Sequence, residues 1–149
     1  MNRILIISVF SLILLFFVSC AEDVPEHLPS LNDVFNVTDT YLMEDGVHLF
    51  MFNSNYDRRY TSGTVSVYNM KTKIFEDMIL VGNIGGKMFV DESKNIILAA
   101  TRDKNRVYGI KYSDTEGKIS FSYIDENKKY IDSFDEPYVF ASDKSYVYL

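Results

Sequence analysis

The chain has 149 residues, nearly half of them hydrophobic, with 15 basic against 21 acidic side chains and a formal charge of −6. An acidic balance of this size argues against nucleic-acid binding and against electrostatic attraction to anionic lipid. The single cysteine excludes an internal disulfide framework, so eleven Tyr and eleven Phe must supply stability through packing.

Met1 to Cys20, MNRILIISVFSLILLFFVSC, has the three parts of an export signal. Met1 and Arg3 carry positive charge, Ile4 to Phe17 is apolar except at Ser8 and Ser11, and Val18-Ser19-Cys20 closes the run with modest side chains. An apolar core of about fourteen residues is short for a membrane span, which needs roughly twenty. A cleaved signal is expected. Phe17-Val18-Ser19-Cys20 resembles the lipobox of bacterial lipoproteins, with small Ser19 in place and Phe17 where leucine is usual. The resemblance implies cleavage between Ser19 and Cys20 and diacylation, as with palmitate, of the Cys20 sulfur. Ordinary secretion, with cutting after Ala21, and an uncleaved anchor are the alternatives. Two or more acyl chains on one residue give stable membrane attachment. Ala21 after the cysteine favours the outer membrane in a source with two membranes, because aspartate there usually retains lipoproteins in the inner one. A secreted or periplasmic location is the alternative.

Removing residues 1–19, the signal peptide, leaves about 130 residues, enough for one domain. Only Arg3 of the basic residues goes with the signal, so 14 remain against 21 acidic ones, a charge of −7. Residues 20–34 contain Pro25 and Pro29, mixed charge and no periodicity, and read as a lipidated tether.

From residue 35 to 149 the signal is the short β-prone run. Val47–Phe52, Thr64–Tyr68, Ile74–Val81, Ile96–Thr101, Arg106–Tyr112, Ile119–Ile124 and Tyr146–Leu149 qualify. Asp45-Gly46, Thr61-Ser62-Gly63, Gly85-Gly86, Asp91 to Asn95, Asp103-Lys104-Asn105 and Asp114 to Gly117 supply the turns between them. No ten-residue segment has helical spacing outside the signal helix, so an all-β antiparallel meander is expected.

The meander repeats. Tyr41 to Met51 aligns with Met88 to Leu98 and again with Tyr138 to Tyr148, each copy being strand, polar turn, strand. A spacing of about 47 to 50 residues fits four strands per unit, the size of a propeller blade. Gly63 to Lys73, Val81 to Gly86 and Asp91 to Ala99 resemble one blade of the YVTN and lactonase-like β-propellers, the likeness covering Gly63 to Tyr112. Asp91-Glu92-Ser93-Lys94 replaces the usual Pro-Asp-Gly turn, and Ile97 to Ala100 replaces the namesake tetrapeptide. The repeats amount to about two and a half four-stranded units, whereas closed propellers use four to eight blades. This count predicts a propeller cut short, with a homo-oligomer completing a ring and an open stack as alternatives.

No catalytic constellation and no metal-binding set emerges, and no cofactor is expected. His27 lies in the tether; His48 lies in a strand and is expected to face solvent. Gly82 to Gly86 lacks the Lys-Ser/Thr ending of a phosphate loop and reads as a turn between units. Asp132, Asp135 and Glu136, like Asp114 and Glu116, lack calcium-loop spacing. Together these readings predict a lipid-anchored envelope protein with a protein or glycan partner. A lactonase-like hydrolase or a non-functional fragment are the alternatives.

Overall fold

A computed structural model of the chain describes residues 28–33, 36–54, 60–103, 105–132, 137, 140–142 and 147–148. Residues 1–27, with the expected signal helix, the cleavage point at Ser19 and the lipidated Cys20, lie outside them, as does most of the tether.

The described residues form an all-β structure without helix. Strands β1 (Val37–Leu42), β2 (His48–Asn53), β3 (Gly63–Asn69) and β4 (Ile74–Val81) make one antiparallel sheet in chain order. Strands β5 (Gly85–Asp91), β6 (Ile96–Thr101), β7 (Arg106–Thr115) and β8 (Lys118–Tyr123) make a second, with β9 (Tyr130–Ile131) pairing along β7 beyond the end of β8. A short pair, β10 (Ala141–Ser142) and β11 (Val147–Tyr148), follows. The expected bounds hold for β4 and β6, where β-branched and apolar runs end at turn residues. Strand β7 extends three residues past Tyr112, because Glu116 and Gly117 alone take the positive φ of a two-residue hairpin turn.

The four-stranded and five-stranded sheets pack face to face. Phe50, Phe52, Val65, Val67, Ile79 and Val81 from the first meet Ile97, Ala99, Ile110, Tyr112 and Ile119 from the second in one core. Phe50 joins them most closely, its ring 5.1 Å from that of Tyr112 and 5.6 Å from that of Phe121.

Strand order and strand direction are both preserved between the sheets. Thr38 in β1 lies against Gly85 in β5, Asp39 against Lys87 and Met88, and Tyr41 against Glu92 just past β5, so the two strands run alongside in the same direction. At the other side Glu76, Asp77 and Leu80 of β4 bond successively to Ile119, Phe121 and Tyr123 of β8. A two-fold rotation that brings two sheets face to face reverses either order or direction. Preserving both means that the second sheet is a repeated step of the first: the front of one meets the back of the next.

Candidate functional site

Two regions concentrate polar side chains in places that packing alone does not require. The first is an open cleft of about 500 Å³ where β1 and β5 begin. Asn36, Thr38, Ser54, Lys87, Arg102 and the backbone of Gly85 and Gly86 line it, with Val37 and Ile84. Its hydroxyls are engaged: Thr38 donates to the Phe52 carbonyl at 3.2 Å, and Ser54 donates to the Asn83 carbonyl at 2.8 Å while accepting the Gly85 amide at 3.3 Å. The Lys87 ammonium sits 3.1 Å from Asp39. Among the described residues the lining includes no histidine, cysteine or carboxylate. Lys87 and Arg102 stand at its rim.

The expected turn is shorter than the Gly82 to Gly86 run: Gly85 and Gly86 already belong to β5, pairing with β6, and the turn at Gly82 to Ile84 borders this cleft with its amides occupied. Asp103 accepts the Asn83 N–H at 3.0 Å and the Ile84 N–H at 3.2 Å. A carboxylate therefore holds two of the donors that a phosphate loop would present. Gly82 is required by this closeness, since a Cβ would lie 2.6 Å from the Thr101 hydroxyl oxygen.

The second region is a buried cluster around His48, and it corrects the expectation of a solvent-facing histidine: His48 is only 3% exposed. Its backbone amide and ring Nδ1 both contact the Asp45 carboxylate, in a turn where Asp45 also accepts the Val47 N–H at 2.7 Å. On the other side, Nε2 lies 3.5 Å from Glu76 Oε2. Asn69 accepts the amides of Lys71 and Thr72 on Oδ1, which turns its Nδ2 toward Glu76 Oε1 at 2.7 Å. The imidazole thus bridges two carboxylates. Burial works against its charged form, but the Asp45 hydrogen bond and the fields of Asp45 and Glu76 prevail and raise its pKa above 6.5. Desolvation likewise works to raise Asp45, and the amides of His48 and Val47 with the imidazole outweigh it, so Asp45 titrates below 3.8.

A bulge makes this cluster a cross-sheet clamp. Val67 pairs with Asp77 and Tyr68 with Phe75, which leaves Glu76 as the extra residue and turns two successive carboxylates toward the second sheet. Glu76 accepts the Ile119 N–H at 2.8 Å and Asp77 the Phe121 N–H at 2.6 Å. Strand β8 is bonded to β7 on its other side, so these carboxylates satisfy donors of an edge strand that would otherwise invite pairing. Asp39 does the same for β5, accepting the Met88 N–H at 2.8 Å. Among the described residues no group of three His, Cys, Asp or Glu side chains is arranged to hold a metal ion.

Tyr112 contrasts with these satisfied groups. Burial, then nearby Glu92, pushes its hydroxyl up to about 12, and the buried oxygen has no hydrogen-bond partner. Tyr112→Phe is expected to be neutral or to stabilise by up to about 1 kcal/mol, because it removes a desolvated hydroxyl without opening a cavity. Urea titration of the two proteins measures it.

Lys87 lines the cleft, and the sequence candidate His48 joins Asp45, Asn69 and Glu76 beside the β7–β8 hairpin, where Gly117 and Ile119 meet the cluster. His27, Ser19 and Cys20 lie outside the described residues. Asp45 and Glu76 were missed as partners of His48. The shared parity of His48, Phe50 and Phe52 was the available signal, since two large aromatics mark the inward face. The chain matches no protein-family model, no curated protein and no solved structure.

Proposed function

We propose that this chain is a lipid-anchored protein of the bacterial cell envelope, held through Cys20, whose stacked meanders form a propeller-like domain for contact with a protein or glycan partner. The observation that carries the reading is the Met1 to Cys20 segment, where a short apolar run with a cationic start ends in Ser19-Cys20. The front-to-back step between the sheets supports the blade-like architecture, because blades repeat by such a step around a ring. We assign the partner contact to the cleft beside β1 and β5. It is open, about 500 Å³ in volume, and lined by polar and cationic side chains from both sheets, which supports a contact surface.

Labelled fatty acid tests the anchor. Wild-type protein expressed in a bacterial host is expected to incorporate the label and to partition with membranes, while Cys20→Ala loses both. Equal labelling of the two proteins would remove the anchor from this account.

A further inference from the structure

The step that relates the two sheets can be followed residue by residue. In the first sheet Leu42, Leu49, Tyr68 and Phe75 stand opposite one another across β1 to β4. In the second, Val90, Ile97, Ile110 and Tyr123 form the corresponding row across β5 to β8. Side chains alternate along a strand, so each row lies on one face of its sheet. The second row faces the first sheet: Ile97 and Ile110 are fully buried there, with Val90 and Tyr123 packed against the same core. The first row is its equivalent on the back of the first sheet, pointing away from the core formed by Phe50, Phe52, Val65 and Val67. It is apolar throughout, and Leu42 is 52% exposed.

The face that would complement this back is the front of the second sheet, equivalent to the front that carries Phe50. Phe89, Leu98 and Gly109 lie opposite one another on it, and the Ile124 amide bonds to the Gly109 carbonyl at its far side. The C-terminal residues reach this front at β5, where the rings of Phe140 and Phe89 lie 6.3 Å apart. At the opposite side Ile124 is 52% exposed. An interface of front on back is heterologous, using two different surfaces; among the described residues the back row of the first sheet is part-exposed, while the front of the second is already covered at Ala100 and Val107 and bordered by Phe140.

We propose that the chain binds a second copy of itself, the back of the first sheet of one copy seated on the front of the second sheet of the other. The contact continues the interface already present inside each chain, with Leu42, Leu49, Tyr68 and Phe75 taking the place of Val90, Ile97, Ile110 and Tyr123. The incoming sheet has to displace the chain's own cover of this front, Phe140 at Phe89 and whatever buries Ala100 and Val107, which keeps the association reversible and dependent on concentration. This rests on the reading of the domain as a contact module and adds a second copy as a partner, on surfaces separate from the cleft beside β1 and β5.

Sedimentation of the full chain in mild detergent tests it. Wild-type protein is expected to shift to larger species as concentration rises. Leu42→Lys and Ile124→Lys, each at a half-exposed position on opposite surfaces, should each weaken self-association at least about tenfold, since a lysine ammonium buried without a partner is strongly disfavoured. An equimolar mixture of the two variants should form a dimer, because one variant keeps an intact front and the other an intact back. If lysine unfolds either chain, serine at the same positions gives the same readout. A wild-type chain that stays monomeric throughout overturns the proposal, and so does association in wild type that the mixture fails to restore, which would indicate pairing of like faces. A monomer that still incorporates fatty acid at Cys20 removes the self-partner and leaves the anchored envelope reading standing; association without labelling does the reverse.

Discussion

Phe50→Ala is expected to cost about 3–5 kcal/mol of folding stability, the range for deleting a buried aromatic ring from a packed core. Phe50 is fully buried in the first sheet and touches Tyr112 and Phe121 in the second, so the cavity opens between sheets rather than within one. A domain of this size has about 5–15 kcal/mol in total, so the variant would stand near the threshold of folding. Urea denaturation followed by circular dichroism measures the loss. Because the ring joins the two meanders, the variant should also lose hydrogen-exchange protection at the Ile119 and Phe121 amides, which depend on sheet-to-sheet contact. A cost below about 1 kcal/mol with protection unchanged would show that the sheets do not depend on this contact.

Glu76→Ala is expected to cost about 2–5 kcal/mol, because it strips the Asn69 amide and the Ile119 N–H of their shared acceptor, about 1–3 kcal/mol for each donor left unsatisfied, and removes one of the two carboxylates about His48. The side chains of His48 and Glu76 are 4% and 5% exposed, and the same carboxylate accepts the Asn69 amide and the Ile119 N–H. The cluster also gives stability a direction with pH. His48 has a folded pKa raised above 6.5, so its contribution is complete below about 6.5 and is lost as pH rises through the folded value. Asp45 has a folded pKa below 3.8, so its contribution is present above that value and is lost as pH falls through the folded one. Stability from this cluster should therefore peak in weakly acidic solution. His48→Gln is expected to flatten the alkaline limb, and a wild-type protein whose stability is level from pH 6 to pH 9 would contradict the bridge.

How much of this was legible in the sequence differs from element to element. The runs Ile74–Val81 and Ile96–Thr101 were read at their observed bounds, because β-branched and apolar side chains run up to Gly82 at one end and to the Arg102-Asp103 turn at the other. His48 was misread because its flanking residues Val47 and Leu49 are apolar too, which masked the parity it shares with Phe50 and Phe52, the two aromatics that the core places inward. The repeat was visible, but its register was one residue off: the sequence alignment sets Leu42 against Phe89, whereas the ladders set it against Val90. With a side-chain period of two, that single residue exchanges front for back.

The amino-acid sequence by itself determined the segment that ends at Cys20, the acidic balance, the all-β character and the presence of a repeating meander. These follow from local chemistry: charge, apolar length, β-branched runs and turn residues act over a few neighbours. Only the tertiary structure decided that the meanders stack front to back, that a bulge turns Glu76 and Asp77 to the same side, and that His48 is enclosed between two carboxylates. Those facts depend on which strand lies beside which. His48 and Glu76 stand 28 positions apart, and Asp39 reaches Met88 across 49 positions of chain. Pairing over such separations is set by how the faces pack, and local preference is nearly blind to it.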